Sequence, residues 1–160
     1  MLERTLVLLK PDAVQRQLVG EIIHRFERAG LKIVGMKMVW ADRDFAKKHY
    51  QEHVGKEFYK GLEDMIVMGP VIAMVLEGVE AVGIVRKMCG ATDPKSATPG
   101  TIRGDFAQVS YEYADKKKIG IKNVIHASAT KEEAEREIDL WFKPEERHSY
   151  KTVHEVHVFE

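Results

Sequence analysis

A chain of 160 residues, 44% hydrophobic and 31% charged, is long enough to bury a core and too apolar for intrinsic disorder, so one folded domain over residues 1–160 is expected. Lys plus Arg, 25 in all, equal Asp plus Glu, so no long-range field draws the molecule onto nucleic acid or an anionic membrane, and any anion site must be a local cluster. A single cysteine, Cys89, excludes an intrachain disulfide; charges at Glu3 and Arg4, and no run near ~20 apolar residues, speak against a signal peptide or membrane span, so a cytoplasmic protein is expected.

Thr5 to Leu9 is an apolar run stopped by Lys10-Pro11-Asp12, the profile of a buried strand ending in a polar turn with Lys10 at its mouth. Val19, Ile22, Ile23 and Phe26 follow helical spacing, and Gly30 stands where a left-handed C-cap closes such a helix. Lys32 to Trp40 alternates as a strand, with Val34, Met36, Met38 and Trp40 on its apolar face and Gly35 weakening it. Two short helices are expected around Asp44 to His53 and Phe58 to Ile66. After Pro70, Val71 to Leu76 reads as a second buried strand, and Val79 to Met88 as a helix with stripe Ala81, Ile84, Val85 and Met88, stopped by Gly90.

From Gly90 to Asp105 the chain reads GATDPKSATPGTIRGD, whose Gly, Pro, Thr and Asp predict an irregular loop with free backbone N–H groups. Val124-Ile125 forms a brief strand leading into His126. Thr130-Lys131-Glu132-Glu133 is a capping box, opening a helix with stripe Ala134, Ile138 and Trp141 that Pro144 ends. The order is β-α-β-α-α-β-α-loop-β-α, an α+β sandwich of one sheet and its covering helices.

Neither G-x-x-x-x-G-K-[ST] nor G-x-G-x-x-G occurs, so a nucleotide needs another grip. Lys10 at a strand end, Arg86 near a helix end, and Thr92 and Arg103 in the Gly/Pro-rich loop are candidates, because phosphate oxygens want charged donors on rigid supports. None is specific alone; an isolated Lys or Arg is usually a solvated surface charge. Among seven histidines, His126 differs by ending a buried strand with Ser128 and a helix start just beyond. A neutral imidazole is nucleophilic without a base to remove a proton. Glu137, at the edge of the Ala134/Trp141 stripe, is placed for a carboxylate that orients a histidine. Pattern alone leaves both open: Glu137 also reads as the rim of a helix face, and His126 as a structural histidine.

Several separated segments resemble the nucleoside diphosphate kinase family: TLVLLKPDAVQRQLVGEIIHRFERAGLKIVGMKM from Thr5, GPVIAMVLEG from Gly69, GATDPKSATPGTIRGDF from Gly90 and NVIHAS from Asn123. PGTIRGDF followed by N-x-x-H is highly specific. The resemblance implies a ferredoxin-like four-stranded antiparallel sheet with helices covering one face. It implies ping-pong transfer of the γ-phosphate of a nucleoside triphosphate, mainly ATP, to a nucleoside diphosphate. His126 takes the phosphate on the ring nitrogen nearer the backbone, Glu137 holds the other nitrogen, and Ser128 supports the pair. Lys10, Tyr50, Arg86, Thr92, Arg103 and Asn123 match residues around phosphates and ribose, and Phe58 matches the aromatic that stacks on the base. The cofactor implied is Mg²⁺, held mainly by nucleotide phosphates, and the assembly a hexamer, alternatively a tetramer.

Two departures from the family pattern stand out. Between Phe106 and Asn123 the chain is longer by roughly ten residues, so SYEYADKKK adds a hairpin or lobe within about 107–122, beside the site. Where the family often has Gly, Ser and an acid after the histidine, Ala127, Ser128 and Ala129 stand here, and no protein ligand to the metal is assigned. An RNA-binding module, the rival on such a sheet, is disfavoured because no [KR]-G-[FY]-[GA]-F-V-x-[FY] segment occurs. A nucleotide-binding relative without turnover is disfavoured because none of the matched residues is replaced.

Overall fold

The computed structural model describes residues 1–159. In chain order its elements are β1 (Leu2–Leu9), α1 (Pro11–Gln15), α2 (Val19–Arg28), β2 (Lys32–Val39), α3 (Arg43–His49), α4 (Tyr59–Val67), β3 (Val71–Val79), α5 (Ala81–Cys89), α6 (Ile102–Phe106), α7 (Tyr111–Lys117), β4 (Ile125–Ala127), α8 (Lys131–Trp141) and α9 (Glu155–Val158). The strands form one antiparallel sheet in the order β2-β3-β1-β4. This is the sheet the sequence led us to expect.

The helices, expected over one face, cover both. The reason lies in β1, which is apolar at every position from Leu6 to Leu9 and so needs cover on each side. Val7 and Leu9 join Ile22, Phe26, Val85 and Ile102, under α2, α5 and α6. Leu6 and Leu8 join Ala46, Ile66, Ile138 and Trp141, under α3, α4 and α8.

Strand β2 departs from its expected alternation. Val34 is buried, yet Met36, Met38 and Trp40 are 54%, 60% and 68% exposed. A bulge causes this: Ile33 pairs with Leu76 and Gly35 with Val75, leaving Val34 as an extra residue that reverses the parity beyond it. Gly35, which weakens a strand in isolation, suits the close packing here, because a Cβ there would press on the Phe142 ring at 3.2 Å and the Glu146 carbonyl at 3.1 Å. In α5 the stripe shifts likewise: Ala81, Val82, Val85 and Cys89 are buried while Ile84 is exposed.

The Gly90–Asp105 stretch, expected to be irregular, holds a 3₁₀ turn at Pro94–Ser96 and the helix α6, whose cap is Thr101 Oγ1 accepting from the Gly104 N–H at 3.1 Å. Only Ile102 and Arg103 of α6 are buried, too few for a legible stripe. The inserted segment is a lobe rather than a hairpin: it forms α7, capped by Ser110 Oγ accepting from the Tyr113 N–H. At the start of α8, Thr130 caps as expected, but the Glu133 carboxylate reaches back to the Ala129 N–H, one residue short of a reciprocal box. The tail lies along the bulged end of β2, with the His148 N–H donating to Val34 O and the Tyr150 hydroxyl to Ile33 O. Among the described residues, no helix is long and apolar enough to cross a membrane.

Candidate active site

Strand β4 lies opposite β1 with His126 facing Leu8, which turns the imidazole to the face covered by α3 and α8. There His126 Nε2 is 3.0 Å from each carboxylate oxygen of Glu137. The Ser128 hydroxyl donates to Glu137 Oε2 at 2.7 Å. Glu137 is 1% exposed and Ser128 fully buried. Burial works against the Glu137 carboxylate, but the His126 bond, the His126 and His49 rings and the Ser128 hydroxyl together hold its pKa down to about 2. A carboxylate can only accept, so it fixes a proton on Nε2 and leaves Nδ1 with its lone pair. Among the described residues Nδ1 makes no hydrogen bond.

The turn before His126 is strained. Val124, a β-branched residue, has φ 62°, with the Ile125 N–H donating to Asn123 O across it. Two contacts hold it there: the Val124 N–H donates to Asp12 Oδ2, and the Lys10 N–H to Val124 O. The strain thus ties the end of β1 to the start of β4 and aims Asn123 and His126 into one cleft.

Lys10 is 5% and Arg103 6% exposed, and neither has a carboxylate within ion-pair distance among the described residues. Lys10 Nζ donates to Asn123 Oδ1 at 2.6 Å, and Asn123 Nδ2 donates in turn to Thr92 O at 2.8 Å. Burial pushes the Lys10 ammonium down to about 8, with Asp12 opposing and Arg103 adding to the effect. The Arg103 guanidinium is held by two carbonyls, Gly90 O at 3.0 Å and Ile125 O at 2.7 Å, while its buried Nε has no partner. Two cations desolvated near each other with no carboxylate in ion-pair contact are costly, and a bound anion would relieve that cost.

Lys10, Tyr50, Phe58, Thr92, Arg103, Asn123 and His126 line a single cleft of about 420 Å³. Its cationic and imidazole groups lie with one another, and Phe58, 49% exposed, offers an aromatic face toward solvent. Arg86 does not line the cleft; it donates to Ala127 O, next to His126, at 3.4 Å and acts on Arg103 through its charge. The lobe supplies walls that sequence reasoning missed: Tyr111, Ala114, Ile119 and Ile121. It is clasped to α4 where Gly61 meets Gly120, for a Cβ on Gly61 would stand 2.7 Å from the Gly120 nitrogen. The two glycines were a signal in principle, but nothing in their own segments shows that they touch.

His49 was also missed. It falls among charged residues in α3, yet it is 4% exposed and completes a group with His126 and Glu137 whose ligating atoms lie within 4.8 Å of one another. That group could hold a transition metal only by giving up the His126–Glu137 bond. Near the cleft, Asp12 Oδ2 accepts from the Val124 N–H while its buried Oδ1 has no hydrogen-bond partner, and Asp93 Oδ1 accepts from the Lys95 N–H.

A family model described as nucleoside diphosphate kinase matches residues 3–147. A nucleoside diphosphate kinase of Pyrococcus horikoshii is 64% identical over 148 residues, covering 92% of this chain and 90% of that one. One from Pyrococcus furiosus is 62% identical, covering 92% and 88%. A solved Borrelia burgdorferi nucleoside-diphosphate kinase, a transition-state mimic with bound vanadate and ADP, superposes with a TM-score of 0.94 at 47% identity, covering 98% of this chain and 96% of that one. With the match spanning most of its length and the motif residues converging on one cleft, the chain belongs to the nucleoside diphosphate kinase family.

Proposed function

We propose that this single domain moves the γ-phosphoryl group of a nucleoside triphosphate, mainly ATP, to a nucleoside or deoxynucleoside diphosphate through a phosphohistidine at His126. The observation that carries this reading is the imidazole braced at Nε2 by Glu137 in a cleft shared with two buried, unpaired cations. His126 Nδ1 attacks the γ-phosphorus, the bond to the β,γ-bridging oxygen breaks, and the diphosphate leaves with that electron pair. A second diphosphate then takes the group by the reverse step. Glu137 stabilises the positive charge that develops on the ring, as an orienting carboxylate does for a catalytic histidine. Lys10 and Arg103, with Arg86 behind, gather the charge on the equatorial oxygens, a role worth about 10³ or more in rate for a well-placed Arg.

Tyr50, Thr92 and Asn123 serve phosphate and ribose, and Phe58 stacks on the base. A ring face reads no donor pattern, so purines and pyrimidines both fit. Mg²⁺ would be held mainly by the nucleotide phosphates and would supply charge neutralisation there. A cytoplasmic setting suits the lone Cys89, a buried thiol whose pKa burial pushes up to about 11.

Self-association, as a hexamer or alternatively a tetramer, suits the far half of β2, an edge strand with Met36, Met38 and Trp40 exposed in a row. An edge of this kind is self-complementary to a second copy about a two-fold axis. Light scattering on the chain and on Met38→Glu tests this: an oligomer that the substitution splits supports the reading, and a monomeric parent rejects it.

Incubation with γ-labelled ATP and Mg²⁺ tests the reaction. Acid-labile label on the protein, removed by GDP or CDP, is the expected result; a protein that stays unlabelled rules the reading out.

A further inference from the structure

The reaction above leaves one buried imidazole without a task. His49 ends α3 with its ring edge-on to His126, centroids 4.9 Å apart at 84°. Its Nδ1 is 3.2 Å from Trp141 Nε1 and 3.8 Å from Glu137 Oε1. An indole N–H can only donate, so Nδ1 must accept, and the single proton of the neutral ring sits on Nε2. Nε2 is buried without a hydrogen-bond partner, beside a recess of about 70 Å³ lined also by Glu52, His53, Glu133 and Arg136.

The His49 tautomer matters because of what else competes for Glu137. That carboxylate serves His126 Nε2 and the Ser128 hydroxyl, and only His126 gains catalytically from the bond. The other tautomer of His49 would aim an N–H at Glu137 Oε1 from 3.8 Å, close enough for a small ring rotation to make a hydrogen bond. Each such bond draws the carboxylate from His126 and frees the His126 ring to change tautomer, which would put its proton on the attacking nitrogen. Charging His49 would do the same, but burial and the nearby His126, Arg136 and Lys10 charges oppose that, with only Glu137 favouring it; the ring stays neutral, its pKa pushed down to about 3.

We propose that Trp141 and His49 are positioning residues for phosphoryl transfer: the indole holds His49 in its Nε2–H tautomer, so Glu137 keeps both oxygens for His126 and Ser128. The bland alternative is that His49 is merely an acceptor that satisfies a buried indole. It differs in what happens when the indole goes. Under the tautomer lock, Trp141→Phe frees His49 Nδ1 to take the proton and compete for Glu137, and removing His49 as well restores the carboxylate to His126.

The inference rests on the phosphohistidine reading, whose control is label on the parent protein. Rapid-quench phosphorylation of His126 by ATP is measured for the parent, Trp141→Phe and His49→Phe/Trp141→Phe. Trp141→Phe should be slowed about tenfold, and the double variant should recover most of that loss, a sign of coupling that independent packing damage does not give. A double variant as slow as Trp141→Phe, or slower, overturns the proposal. Nitrogen-15 NMR of the histidine-labelled parent guards against variants that fail to fold: His49 should show a protonated Nε2 and a bare Nδ1, and should exchange those states in Trp141→Phe. A proton on Nδ1 in the parent sinks the idea regardless of the kinetics. A parent protein that takes no label fails the parent reading instead, while the NMR result still stands by itself.

Discussion

His126 and Glu137, eleven residues apart on β4 and α8, meet with Nε2 at 3.0 Å from both carboxylate oxygens. The symmetric approach lets a single N–H be shared by two acceptors, so small rotations of the carboxylate do not release the ring. With Glu137 held near 2, the acceptor keeps its charge throughout the physiological pH range. The imidazole is therefore oriented without any help from a nucleotide.

Removing the proposed nucleophile should separate chemistry from binding. His126→Ala should abolish acid-labile label from γ-labelled ATP while ADP still binds by calorimetry. Glu137→Gln should keep the fold, by circular dichroism, and slow phosphorylation by about 10²-fold. Parental kinetics in Glu137→Gln would remove its orienting role.

Arg103 is set by two carbonyls, one on each terminal nitrogen of its planar fork, and its Nε is left without a partner. Arg103→Lys keeps the charge but loses the planar fork. We expect kcat to fall by about 10²- to 10³-fold, with a smaller change in KM, because the fork's contacts tighten as charge develops on the moving group. A rise in KM alone would show that Arg103 only binds.

The depressed Lys10 ammonium gives two pH effects of opposite sign. Below about 8 it is charged and suited to the phosphate role proposed for it; above that it loses its proton, so ADP affinity should weaken about tenfold between pH 7 and 9. The unliganded fold responds the other way. Between about 8 and 10.5 the unfolded chain keeps a proton that the folded one has shed, so this group's contribution to stability rises with pH. Calorimetric ADP titrations and denaturant melts at matched pH read both, and Lys10→Met should flatten each profile. An ADP affinity that is flat across pH 7 to 9 in the parent would contradict the assignment.

Gly61→Ala sets helix propensity against a clash. Alanine favours the helix by about 1 kcal/mol, but its Cβ meets the backbone nitrogen of Gly120 at 2.7 Å, where nothing flexible can give. Overpacking of about 1–3 kcal/mol should win, lowering the melting temperature and moving the lobe off α4. ADP affinity should drop several-fold, since Ile119 and Ile121 share the cleft with Phe58. A variant more stable than the parent would mean that the lobe yields freely.

Sequence by itself determined what depends on neighbours along the chain. The buried run of β1, the β3 strand, the Ala134/Ile138/Trp141 stripe of α8 and the left-handed Gly30 all lie where local pattern places them, because periodicity and backbone sterics act within a few residues. Pattern marked His126 and Glu137 only as open candidates; the family resemblance is what implied their pairing, and the fold brings them into contact. Tertiary structure alone decided the rest: the bulge that turns Met36 and Met38 outward, helices on both faces, the lobe that walls the cleft, and His49 against Trp141 and Glu137. Each depends on contact between segments far apart in sequence, and a residue's own surroundings in the chain do not record what will pack against it.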